Sequence, residues 1–120
     1  MTAPRQCGDY VRDILDAVRK AMTFAAGMSF DEFERDEKTV YAVVRALEVA
    51  GEAAKSVPEK TRQRFQHIPW RDLTGMRDKL IHGYFGVSKE IVWRTLTRDL
   101  PGLPEPVTEM LQTVEKEEQA

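Results

Sequence analysis

Hydrophobic positions recur along this chain with a helical period from the first apolar stretch to the last. Val11, Ile14, Leu15, Val18, Met22 and Ala25 fall at i, i+3, i+4, i+7, i+11 and i+14, and Val40, Val43, Val44, Leu47, Gly51 and Ala54 repeat that spacing. Positions so spaced share one face of a helix, so two long amphipathic helices are predicted over roughly 9–26 and 36–56. The punctuation agrees. Gly27 ends the first helix, Ser29-Phe30-Asp31-Glu32 reads as a capping box opening a short acidic turn, Asp36 caps the second helix and Pro58 stops it. Residues 59–66 suggest a short basic helix. After the break at Ile68-Pro69-Trp70, where Pro69 suits a helix start, Leu73, Met76 and Leu80 form a stripe running towards Gly83. Ser88 caps a helix carrying Val92, Trp93, Leu96 and Leu100. Pro101, Pro104 and Pro106 mark the next break, and Val107, Met110, Leu111 and Val114 define a last helix. No run alternates with period two. The expectation is an all-α chain forming one domain over 1–120, an antiparallel four-helix bundle with one or two extra short helices, frayed over 1–8 and 115–120.

Composition narrows the classes. At 120 residues, 42% hydrophobic and 32% charged, the chain can bury one core and is too apolar to be disordered. Its longest uncharged run, Ala21 to Phe30, is about half a membrane-spanning helix. No charged-then-apolar leader opens the chain, so a cytoplasmic address with no membrane partner is expected. The single cysteine, Cys7, excludes an internal disulfide, and with only His67 and His82 it cannot assemble a zinc site. Cys7 is expected to be a plain solvated or half-buried thiol. No phosphate-cradling glycine loop or hydrolase elbow is present.

The chemistry concentrates in Met76-Arg77-Asp78-Lys79-Leu80-Ile81-His82-Gly83-Tyr84-Phe85-Gly86. His82 can exchange protons near neutral pH, Arg77 is a permanent cation suited to phosphate, and Tyr84 adds a phenol. On one regular helix Arg77 and Tyr84 share a face, whereas Arg77 and His82 stand about 140° apart. Either Gly83 ends the helix and frees His82, or two copies facing each other across a two-fold axis bring the pairs together. Asp78, four residues before His82, is placed to orient its ring. The plain alternative is that His82 caps the last carbonyls of its helix, with Arg77 and Tyr84 as ordinary surface and half-buried residues. Weaker candidates are Glu48 and Glu52, which share a stripe with Tyr41 and Lys55; a solvated face competes with a role in the cleft or in pairing a cation such as Arg77. Trp70 and Trp93 are expected as core or interface anchors, Phe85 beside Gly86 as a dimer contact, and His67 as a loop histidine.

The pattern R-x-x-x-x-H-x-Y, filled by Arg77, His82 and Tyr84, sits in a telling setting. With the segments MSFDEFERDEKT, ALEVAGEAAK, IPWRDLTGMRDKLIHGYFGV and IVWRTLTRDLP, the chain resembles the HepT-like family of the HEPN superfamily from about Tyr10 to Leu111. The resemblance implies a helical homodimer in which the Arg and His of both subunits line a composite cleft, and metal-independent RNA cleavage with no cofactor. It further implies a toxin of a toxin–antitoxin pair. The partner would be an MntA-like minimal nucleotidyltransferase that uses ATP to place AMP on the motif tyrosine, here Tyr84. In the mechanism that fits, the ribose 2′-OH attacks the adjacent phosphate and leaves a cyclic phosphate. His82 moves the protons, Arg77 stabilises charge on the phosphoryl oxygens, Asp78 orients His82, and Tyr84 positions RNA. Two other readings stand beside it. One is a non-catalytic helical dimer that binds nucleotide or the nucleotidyltransferase; the other is a purely structural dimer.

The net charge of −2 speaks at first against a nucleic-acid substrate, but the charge is uneven. Residues 60–79 hold six cations (Lys60, Arg62, Arg64, Arg71, Arg77, Lys79) against Asp72 and Asp78. Residues 29–37 and 105–118 each hold five acids against one cation. The basic surplus therefore lies on the segment leading into the motif, as a focused cleft requires.

Overall fold

A computed structural model describes residues 3–80, 86 and 88–120. Among these residues the chain is helical throughout, with no strand. Helix α1 (Cys7–Phe24) opens where the Asp9 carboxylate accepts the Gln6 N–H at 2.8 Å. It closes before Gly27, whose φ of 79° lies in the left-handed region that glycine enters freely. Helix α2 (Phe30–Arg35) carries the expected capping box: Ser29 Oγ accepts from Glu32 N at 3.2 Å, and the Glu32 carboxylate accepts from Ser29 N at 3.0 Å. Helix α3 (Glu37–Ser56) is capped by Asp36, which accepts from Thr39 N at 3.1 Å. Short helices α4 (Glu59–Arg64), α5 (Trp70–Thr74) and α6 (Met76–Leu80) follow. Helix α7 (Lys89–Arg94) starts at Ser88, whose hydroxyl accepts from Ile91 N at 3.3 Å. A π-helical turn (Thr95–Asp99) and a 3-10 turn (Leu100–Gly102) lead from it to α8 (Pro104–Glu118).

The predicted stripes form the core. Val11, Ile14, Leu15 and Val18 of α1 and Val43, Val44, Leu47 and Ala54 of α3 are buried, with Leu73, Met76, Leu80, Val92, Leu100, Val107 and Met110. Helices α1 and α3 pack antiparallel: Phe24 meets Ala42 at one end of their shared groove, and Tyr10 meets Glu52 and Ser56 at the other. Helix α8 lies on α1 from the other side, also antiparallel, its end beside Gly8 and Arg12. Both tryptophans anchor the core. Trp70 is half-buried and donates its indole N–H to the Phe65 carbonyl at 3.0 Å. Trp93 sits against Phe33 and Phe30, with ring centroids 5.3 and 6.0 Å away. His67 lies exposed in the turn after α4.

Contacts tie the two ends of the chain to the rest of the fold. Helix α8 runs to Glu118. Glu118 accepts the Gly8 N–H at 2.7 Å, Glu117 takes Arg64 at 2.6 Å, and Glu115 pairs with Arg12. At the other end α1 begins at Cys7, and Arg5 pairs with Asp13. Pro104 and Pro106 do not break the chain but lie within the first turn of α8, where the missing N–H costs no helical bond. No described helix is long and apolar enough to cross a membrane.

Candidate active site on helix six

The Leu73, Met76 and Leu80 stripe does not run along one helix. Gly75 separates α5 from α6, with its N–H turned back to the Arg71 and Leu73 carbonyls. The reason lies across the interface, on α3. A Cβ added at Gly51 would stand 3.0 Å from the Leu73 carbonyl oxygen, 3.3 Å from Met76 Cβ and 4.0 Å from Arg77 N. Gly51 thus lets the α5–α6 junction press its backbone onto α3, closer than any side chain would allow. The stripe residues Met76 and Leu80 turn inward and are buried, and Arg77, Asp78 and Lys79 turn outward.

Three charged side chains therefore stand on a short, firmly seated helix. Lys79 reaches Asp99 at 3.3 Å, tying α6 to the π-helical turn. That turn is set by Thr95, fully buried, whose hydroxyl donates to the Ile91 carbonyl at 2.9 Å. Arg77 and Asp78 are exposed and take part in no ion pair among the described residues. The rest of the motif, His82, Gly83 and Tyr84, and the expected dimer contact Phe85, lie outside the described residues.

The carboxylates on α3 diverge. Glu48 is half-buried, one turn before Gly51 on the side that meets α6. Glu52 is exposed, stands 3.9 Å from Lys55, and lines the groove between α3 and α1 together with Arg5, Tyr10, Asp13 and Arg45. Cys7, at the start of α1, has its thiol pushed up from the usual range by burial and by the nearby Glu118 carboxylate, which keeps it in the unreactive thiol form. Sequence reasoning counted Gly51 only as one more small residue of the apolar stripe. Its position inside a long helix, where glycine is costly, was the available signal.

A helical domain with a phosphate-suited arginine and an acid on a short outward-facing helix is the setting in which the comparisons with known proteins fall. The model of the Ribonuclease HepT-like family matches residues 14–110, and the chain belongs to this family of RNA-cleaving enzymes. It is 44% identical over 95 residues to a protein of Thermococcus cleftensis named "Probable ribonuclease HepT", covering 79% of this chain and 86% of that one. It is 40% identical over 112 residues to a "Putative RNase" of Caldanaerobacter subterraneus, covering 93% and 97%. A protein of the same description from Methanocaldococcus jannaschii is 38% identical over 110 residues, covering 92% and 91%. No solved structure matches.

Proposed function

We propose that this protein is a metal-independent RNA endonuclease acting as a homodimer in the cytoplasm. We further propose that it is the toxin of a toxin–antitoxin pair. The observation that carries the reading is the family match over residues 14–110, which contains the whole R-x-x-x-x-H-x-Y motif. The outward placement of Arg77 and Asp78 on a helix fixed by Gly51 supports it.

The chemistry follows from the residue types. The ribose 2′-oxygen attacks the adjacent phosphorus as the bond to the 5′-oxygen breaks, giving a cyclic phosphate and a free 5′-hydroxyl. His82 takes the 2′-OH proton and delivers a proton to the leaving oxygen. Arg77 holds the non-bridging oxygens as their charge grows. Asp78 orients the His82 ring, and Gly83 is a supporting residue of the motif. Glu48 and Glu52 are secondary candidates for pairing its cations. Across a two-fold axis the Arg and His of two copies would share one cleft, which answers the 140° separation on a single helix. Tyr84 positions RNA and is the acceptor of AMP: its phenolic oxygen attacks the α-phosphorus of ATP on an MntA-like nucleotidyltransferase, and pyrophosphate leaves. The added anion would repel RNA phosphate from the cleft.

The test is RNA cleavage in excess chelator, before and after incubation with the partner nucleotidyltransferase and ATP. The reading predicts cleavage before, loss of cleavage after, and AMP on Tyr84 by mass spectrometry. AMP on another residue, or undiminished cleavage, would refute the regulatory part. Absence of cleavage by the unmodified protein would leave the alternative of a non-catalytic dimer that binds nucleotide or the nucleotidyltransferase.

A further inference from the structure

A second surface lies on the chain just before the catalytic helix. The residues of α4, the turn after it and the start of α5 line a shallow, open groove of about 430 Å³. Its rim carries the guanidinium groups of Arg62 and Arg71, the amides of Gln63 and Gln66, and the half-buried ring of Trp70. Each has a fixed or unused polar end. The Arg62 Nε donates to the Val57 carbonyl at 3.0 Å, which anchors that side chain beside the groove and leaves its terminal nitrogens without a hydrogen bond among the described residues. The indole N–H of Trp70 is spent on the Phe65 carbonyl, so the ring is held in one orientation. The exposed Arg71 takes part in no ion pair among the described residues. Glu59 is the one acid on the rim. By contrast Arg64, on the same short helix, is neutralised by Glu117 and turned away towards α8.

Cations that hold phosphate, amides that meet base edges and an aromatic face that stacks are the parts from which single-stranded nucleic-acid sites are built. Arg71 on α5 precedes Arg77 on α6 by six residues, with only the Gly75 junction between the two short helices, so the groove adjoins the helix that carries the motif arginine. We propose that the α4–α5 groove is a docking site for the single-stranded RNA that flanks the cleaved bond. Arg62 and Arg71 hold its phosphates, and Trp70, Gln63 and Gln66 receive a base. The proposal rests on the ribonuclease reading for its occupant and extends that reading to a site away from the motif.

The experiment measures fluorescence polarisation of a labelled single-stranded RNA, 2′-O-methylated so that it cannot be cut, across a salt series. Arg71→Gln is expected to weaken binding several-fold and to reduce the slope of log affinity against log salt by about 0.7, the value of one phosphate contact on a single strand. Gln66→Ala is expected to weaken binding without changing that slope. Arg45→Gln, on the groove between α1 and α3, is the control and leaves both quantities as in wild type. Wild-type affinity and slope in Arg71→Gln, an equal loss in Arg45→Gln, or no binding by the wild-type protein would overturn the proposal. The ribonuclease reading is judged separately, by whether the wild-type protein cuts the unmethylated RNA.

Discussion

Single residues decide how the motif is presented. Gly51 is the clearest. Replacing it by Val adds volume where a Cβ already meets the Leu73 carbonyl oxygen at 3.0 Å. The cost of overpacking, about 2 kcal/mol, outweighs any gain in helix propensity. Gly51→Val is therefore expected to lower the denaturant midpoint and, by pushing α6 off α3, to reduce RNA cleavage. Destabilisation with cleavage intact would show that the seat of α6 does not govern the site. Arg77 is the converse case. It is exposed and unpaired among the described residues, so Arg77→Ala should leave the unfolding free energy within about 0.5 kcal/mol of wild type. The arginine and its acid were legible in the sequence as a phosphate-suited cation in a motif. Gly51 was not, because a glycine within an apolar stripe looks like any other small residue until the helix it packs against is known.

At the scale of elements, the periodicity read α1 and α3 closely, since each buries one long stripe against the other and local pattern and packing agree. It read the later chain less well. The interruption at Gly75 lies where the α5–α6 junction presses on Gly51 of α3, which no local pattern records, and the π-helical turn at Thr95–Asp99 leaves the apolar period unchanged enough to read as continuing helix. The end of α8 likewise rests on contacts distant in sequence. Glu115, Glu117 and Glu118 are unfavourable at a helix C-terminus on their own, and they are held there by Arg12, Arg64 and the Gly8 N–H. Removing residues 115–120 should therefore lower the unfolding temperature measurably, although those side chains are largely exposed. The loss should shrink in high salt, as screening weakens the same ion pairs in the intact chain. An unchanged melting curve would mean that these contacts contribute nothing.

For the whole molecule, several carboxylates link stability to acid. Glu32 and Asp36 are held below their ordinary values by the backbone bonds from Ser29 and Thr39, and Glu117 by the bond from Arg64. The folded state thus binds fewer protons than the unfolded one. The stability these groups contribute is complete above their ordinary values of 4.5, 3.8 and 4.5, and is lost as pH falls through the lowered ones. Melting temperature should fall as pH drops below about 4.5, and Glu117→Gln should flatten part of that fall. Cys7 acts in the opposite direction: its raised value stabilises the fold below about 9.0, and that contribution is lost as pH rises through the folded value. The uneven charge belongs to the same scale. A net charge of −2 coexists with an RNA substrate because acids are concentrated over residues 29–37 and 105–118, whereas cations are concentrated over residues 60–79, which run into α6.

The central claim is that Arg77 and His82 perform cleavage by positioned charge and proton transfer. It is tested most directly by comparing purified wild-type, Arg77→Ala and His82→Ala proteins on one RNA in excess chelator, following the cyclic-phosphate product. Wild type should yield that product, and each substitution should slow it by about 100-fold or more, equivalent to about 3 kcal/mol of barrier. Cleavage by both variants at the wild-type rate would contradict it.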